Sequence, residues 1–307
     1  MELTIQKKQD SSKLQAYLKC PRQYLFKYVL GYKQKELSHD LIFGAAFHKA
    51  KEVLLQKGYS QQGIEAAYTA FLEAYRPYYG IETDEFYDPK SPQKVELALY
   101  KYVLEYANDK LTLMETEIGF TCLINEDKLL YGRLDALIEK NGLIYVLETK
   151  TSKALWSYWD DQWLQKLQIS AYTHTLYSFY SPDKVGGVII DGTIFKKKKG
   201  EEIEHRRVSI PKSGLDMLAW LDDINALYLQ IDNDFEELEK STLDQPYLKC
   251  FRKNTESCIQ YNRLCEFHDL CIYRPNPLAK KDYVPQGYII ELWDPTKQPV
   301  IKTLKTP

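Results

Sequence analysis

The chain has 307 residues, of which 44% are hydrophobic and 27% charged. This balance excludes a low-complexity or disordered protein and leaves room for one large domain or two small ones. A net formal charge of −2 excludes a uniformly basic protein that coats nucleic acid. Residues 1–10 are polar and charged, and no apolar run reaches bilayer-spanning length, so the chain reads as cytoplasmic with no membrane partner.

In chain order, residues 10–29 carry a helical pattern interrupted at Pro21. Helices are predicted at 40–57 and 61–78, followed by a Gly/Pro-bearing loop at 79–91. Val95, Leu99, Val103 and Tyr106 form one apolar stripe and predict a helix over 93–108. Strands are predicted near 113–124, 128–139 and 143–150. A helix at about 160–180 follows, then a strand from Val185 to Lys196, a further strand near 202–210 that can pair with it, and a helix within 212–240. The tail after residue 275 contains one β-rich run, Tyr288 to Trp293.

The densest chemistry lies between Gly132 and Thr151. Lys140-Asn141-Gly142 separates two apolar runs, and Asn-Gly in that setting predicts a tight hairpin, since both residues tolerate positive φ. Side chains alternate along a strand, so Tyr131, Arg133 and Asp135 share one face, as do Val146, Glu148 and Lys150. The hairpin can therefore bring Asp135 beside Glu148 and Lys150, subject to a register that sequence does not fix. Carboxylates gathered together repel each other and lose hydration, so they need a compensating cation. Mg²⁺ or Mn²⁺ suits such hard oxygen ligands, and Lys150 can orient an attacking water. An Asp…Glu-X-Lys pattern alone also occurs as ordinary hairpin surface charge.

Further motifs accompany it: Phe-Gly-Ala-Ala-Phe-His at 43–48, Gln-Ile-Ser-Ala-Tyr at 168–172, and cysteines near both ends. In this order the set resembles the PD-(D/E)XK nuclease superfamily in its RecB-like branch, over roughly residues 10–275. That branch includes CRISPR-adaptation and phage exonucleases. The resemblance implies an α/β fold: a restriction-endonuclease-like core with a mixed central sheet flanked by helices, a helical N-terminal region and a cysteine-cluster C-terminal region. It implies that His48, Asp135 and Glu148 are metal ligands, with the Thr149 carbonyl a further one, that Lys150 is the catalytic lysine, and that Gln168 and Tyr172 lie beside the active site. Leu134 stands where the superfamily's name has proline. Each residue has an ordinary alternative. His48 can be a packed or solvated histidine, Gln168 and Tyr172 can close a core edge, and Glu52 can either orient His48 or be solvated.

Six cysteines are present: Cys20, Cys122, Cys250, Cys258, Cys265 and Cys271. In a cytosolic setting, clustered cysteines point to metal rather than disulfides. The resemblance implies that Cys20, Cys258, Cys265 and Cys271 hold a [4Fe–4S] cluster that staples the chain's ends. The spacing differs from that of the recombination nucleases, so Zn²⁺ with His268 or Cys250 as a ligand remains open. Cys122 reads as a buried small hydrophobe.

The expected organisation is a helical region over 1–91 carrying Cys20 and His48, a nuclease core over 92–211, a helix and cysteine region over 212–275, and a tail over 276–307. Basic groups that could meet phosphate are Lys196–Lys199, Arg206, Arg207, Lys7 and Lys8, although such charges are as often a solvated turn. Trp156, Trp159 and Trp163 could stack on single-stranded bases or anchor the chain in the core. The expected function is a Mg²⁺- or Mn²⁺-dependent deoxyribonuclease, an exonuclease acting on single-stranded DNA or duplex ends, with a helicase, recombinase or CRISPR integrase as a partner. The alternatives are an endonuclease or flap nuclease on the same fold, a non-catalytic DNA-binding subunit, and a zinc-stabilised interaction protein.

Overall fold

The computed structural model describes residues 4–36, 38–200, 202–260, 262–280, 283–297 and 302–305. In chain order the main elements are α1 (Ser11–Lys19), β1 (Tyr32–Gln34), α2 (His39–Lys57), α3 (Gln61–Tyr75), α4 (Pro92–Tyr106), β2 (Leu111–Leu123), β3 (Leu129–Lys140), β4 (Leu143–Ser152), α5 (Leu167–Phe179), β5 (Val185–Phe195), β6 (Ile203–Ile210), α6 (Gly214–Lys240), β7 (Tyr288–Ile290) and β8 (Lys302–Lys305). The main sheet runs β8-β2-β3-β4-β5-β6. It is mixed: β3 and β4 are antiparallel, β4 and β5 parallel, and β5 and β6 antiparallel. Helix α5 supplies the crossover that a parallel β4–β5 pair requires. This is the mixed α/β fold expected from the sequence. By contacts the chain divides into one unit of residues 1–36, 121–132 and 214–298, and a second of residues 37–120, 133–213 and 299–307.

The second unit is built on helices whose apolar residues recur every three or four positions. Phe43, Phe47, Ala50 and Leu54 of α2 pack with Ile64, Ala67, Phe71 and Tyr75 of α3 and with Val95, Ala98, Leu99 and Tyr102 of α4. Phe195 of β5 and Ile203 of β6 complete this cluster. The helix starts follow ordinary capping chemistry. The Ser38 hydroxyl accepts from the Leu41 amide, the Ser60 hydroxyl accepts from the Gly63 amide, and Pro92 opens α4 where its missing N–H costs nothing. A smaller cluster of Ala136, Ile138, Leu147 and Ile189 fills a sheet face. The predicted hairpin turn forms, with Asn141 at φ 54° and Gly142 at φ 78°.

One boundary differs from the sequence reading. The helix expected from about residue 160 begins at Leu167. Before it the chain makes tight turns in which Trp159 N–H donates to Trp156 O and Leu164 N–H to Asp161 O. These three-residue bonds mark 3₁₀ geometry, which cannot be extended far. The tryptophans at helical spacing thus belong to a folded loop between β4 and α5.

In the first unit the Asp10 carboxylate caps α1 through the Lys13 amide at 2.8 Å, and Pro21 ends that helix as the sequence suggested. Tyr24 stacks on Phe251, which also packs edge-on against Tyr17 and Phe235 of α6. Arg22, almost fully buried, donates to the backbone carbonyls of Phe251 at 2.9 Å, Pro275 at 3.2 Å and Leu248 at 3.3 Å. From the tail, β7 pairs antiparallel with β1. Among the described residues no helix is long and apolar enough to cross a membrane.

Two buried histidines in the second unit make its stability pH-dependent. His205 Nε2 lies 3.0 Å from Ala98 O and Nδ1 3.1 Å from Thr193 Oγ1, a pairing that a neutral ring satisfies. Burial, reinforced by Lys51, pushes its pKa from 6.5 to about 4. Burial moves His39, stacked on Tyr87, to about 4 as well. Between these values the unfolded chain takes up protons that the folded chain does not, so the stability that these two histidines contribute is full above about pH 6.5 and falls as pH drops towards 4. The His205 contribution is on the order of 3 kcal/mol. Denaturant unfolding at neutral pH and near pH 4 is expected to show this loss, and His205→Gln should flatten the pH slope even where it lowers stability overall.

Candidate active site

The hairpin places the acids. The β3–β4 ladder runs from Lys140–Leu143 to Ala136–Leu147, and continuing that alternation sets Asp135 opposite Glu148. Here a side chain takes over from the ladder: Thr149 N–H donates to Asp135 Oδ2 at 2.9 Å. Helix α2 supplies His48, whose Nδ1 lies 3.1 Å from the same Asp135 Oδ2.

Lys150 Nζ is 2.6 Å from Glu148 Oε1 and donates to Gln168 Oε1 at 3.1 Å. Gln168 Nε2 donates to the Tyr172 hydroxyl at 2.8 Å, and that hydroxyl donates to Arg133 O at 3.0 Å. This sequence of bonds fixes the orientation of the Gln168 amide and ties α5 to both hairpin strands. Glu148 is 1% exposed, and its Oε2 has no hydrogen-bond partner among the described residues. A buried carboxylate oxygen without a donor is costly unless a cation meets it.

The site gathers two carboxylates, Asp135 and Glu148, and two basic groups, the His48 imidazole and the Lys150 ammonium. Burial works against the charged Asp135 carboxylate, but His48, Lys150 and the Thr149 N–H outweigh it and hold its pKa at about 2. Glu148 moves the other way: burial and then the Asp135 charge raise it, against Lys150 and His48. Burial lowers the His48 and Lys150 values, yet the neighbouring carboxylates carry both net shifts upward. One imidazole and two carboxylates, with Glu148 Oε2 the oxygen that has no hydrogen-bond partner among the described residues, are donors of the kind a hard divalent cation takes. His48, Asp135 and Glu148 would hold it. As they stand, His48 and Asp135 bond to each other, and among the described residues no three His, Cys, Asp or Glu side chains form a group that could hold a metal.

Other candidates are placed differently. Glu52 accepts from Lys49 at 2.7 Å and Gln56 at 3.3 Å, so its hydrogen bonds go along its own helix. Arg207, read as a phosphate contact, points inward to Asp191 at 3.1 Å and to Asp109. Arg206 pairs with Asp160, Lys7 with Glu239 and Lys8 with Asp294. Lys197, Lys198 and Lys199 are exposed in the β5–β6 turn. Within the first unit, Cys20 Sγ accepts from Asn254 N–H at 3.3 Å, and Cys265 N–H donates to Cys258 O at 2.8 Å. Cys271 is part-exposed, Cys122 and Cys250 are buried, and none of the six is in a disulfide. His268 Nδ1 lies 3.1 Å from Asp269.

The sequence reading missed two features. Glu117 on β2 pairs with Arg133 at 2.8 Å, and burial raises its pKa, with the Asp135 charge adding to the effect. Its φ of 49° is unusual for a non-glycine residue, and only coordinates reveal it. The second feature is a buried pair, Lys51 with Asp191 at 2.9 Å, that ties α2 to β5 one turn beyond His48.

The sequence model of the PD-(D/E)XK nuclease superfamily matches residues 11–272. Among solved structures, a protein from Eubacterium rectale provisionally assigned as an exonuclease is similar, with 11% identity and a TM-score of 0.42, over 75% of this chain and 80% of that one. SSO0001 is similar at 16% identity and a TM-score of 0.27, over 60% and 74% of the two chains. No curated protein shows a significant match.

The Tyr172 hydroxyl serves two partners from a buried position. Tyr172→Phe removes the acceptor of Gln168 Nε2 and the donor to Arg133 O, and is expected to destabilise the protein by about 1–3 kcal/mol in denaturant titrations.

Proposed function

The chain belongs to the PD-(D/E)XK nuclease superfamily, and from that premise we propose that it is a divalent-metal-dependent deoxyribonuclease, acting as an exonuclease on DNA ends. The observation that carries this reading is the convergence of His48, Asp135, Glu148 and Lys150, with Glu148 Oε2 left without a partner. Mg²⁺ or Mn²⁺, when bound, supplies Lewis-acid polarisation of the phosphate and lowers the pKa of water. His48, Asp135, Glu148 and the Thr149 carbonyl are its proposed ligands.

The chain's own groups do the positioning. Lys150 remains protonated beside Glu148 and directs an N–H towards the attacking water. The Gln168 carbonyl holds the ammonium in place, and Tyr172 holds Gln168. The ammonium also offsets negative charge that builds on the phosphate oxygens during attack. The exposed Lys197 and Lys199 of the β5–β6 turn can reach the DNA backbone. Asp135→Ala and Lys150→Ala are each expected to reduce Mn²⁺- or Mg²⁺-dependent degradation of end-labelled linear DNA by at least about a hundredfold. Closed circular single-stranded DNA should survive. Parent-like digestion by both variants would overturn the site assignment, and cutting of the circle would overturn the exonuclease assignment alone.

A [4Fe–4S] cluster on Cys20, Cys258, Cys265 and Cys271 is a separate proposal and enters no step of the reaction. It is supported by the supply of four soft thiol donors and by the contact of Cys20 with the segment that leads into the other three. Anaerobically purified protein is expected to contain iron and sulfide, and Cys20→Ser should lose both. Zinc without sulfide would replace the cluster with a zinc site.

A further inference from the structure

The loop between β4 and α5 forms a cavity of about 350 Å³ lined by Leu155, Trp156, Ser157, Trp159, Asp160 and Arg206. Trp159 is 3% exposed and Trp156 45%, and their rings meet edge to face at 5.1 Å. The loop is fixed to the sheet through Gly192, where a Cβ would come within 2.9 Å of the Trp159 ring. Gly192 on β5 is the register partner of Lys150 on β4. Neighbouring strands lie about 4.8 Å apart, so the cavity begins one strand away from the lysine at the centre of the proposed reaction.

The chemistry of the walls selects a class of ligand. Arg206 meets Asp160 with two parallel contacts, Nε to Oδ1 at 3.0 Å and Nη2 to Oδ2. The guanidinium charge is therefore matched at this site, and a phosphate gains little attraction from it. What the cavity offers is an aromatic face, from the part-exposed Trp156, and one planar surface rich in donors and acceptors, the Arg206–Asp160 pair. A flat, uncharged heterocycle with polar edges fits these features. Within a duplex, both faces of such a ring are stacked and its pairing edge is used, so only an unpaired base can enter. Resting on the nuclease reading, we infer that the Trp156–Trp159 cavity is a subsite for one unpaired nucleobase next to the scissile phosphate, and that it favours single-stranded ends.

The test uses the full chain with divalent metal chelated, so that nothing is cut. A labelled oligo(dT) and a blunt duplex of equal length are titrated by anisotropy and tryptophan fluorescence. The parent should bind oligo(dT) with quenching. Trp156→Ala should weaken oligo(dT) binding about 5- to 150-fold while duplex binding changes little, and Trp156→Phe should recover most of the loss. Moving a single abasic position along the oligomer should reveal one nucleotide whose base matters most. Parent-like binding by Trp156→Ala, or an equal loss at every abasic position, would overturn the subsite and leave the nuclease reading intact. Failure of the parent to bind either DNA would overturn both.

Discussion

Two carboxylates facing each other across adjacent strands set the terms for the second unit. Asp135 and Glu148 cannot both remain ionised at low exposure without positive charge nearby. The structure meets that demand in two different ways. Asp135 is held by an imidazole and a backbone amide and stays ionised. Glu148 is met on one oxygen by the Lys150 ammonium and on the other by nothing among the described residues. Two acids of similar chemistry are thereby pushed apart in proton affinity.

The same demand explains why α2 is so firmly fixed. The helix carries His48 on one side and Lys51 one turn later, and Lys51 meets Asp191 in a site that excludes water. Asp191 is the register partner of Thr149, the residue whose amide serves Asp135. Arg207 also meets Asp191, at 3.1 Å, and an ion pair in such a place adds little net stability. Its effect is on geometry: the helix can settle against β5 in one position, and that position also serves the imidazole.

Much of this was legible in the amino-acid order. Asn141-Gly142 declared the hairpin because few other residue pairs tolerate two successive positive φ angles, and alternation then grouped Arg133 with Asp135 and Glu148 with Lys150. The four-residue spacing of Gln168 and Tyr172 predicted a shared helical face, and the two side chains do bond to each other. Other features were hidden because their meaning depends on distant partners. Lys51 looks like any lysine on an amphipathic helix until Asp191 is placed beside it. Arg207 follows Arg206 and looks equally solvated, yet strand alternation turns one outward and the other inward. Trp163 falls within the helix expected from about residue 160, yet that helix begins at Leu167.

The Arg22 clasp in the first unit differs in kind from these paired charges. Its three direct partners are peptide oxygens, none of which gains or loses a proton in water. The three hydrogen bonds that Arg22 gives to the segment around Leu248, Phe251 and Pro275 therefore lose no acceptor to protonation. Titration can loosen an imidazole–carboxylate contact, but this anchorage yields only when the backbone itself moves away.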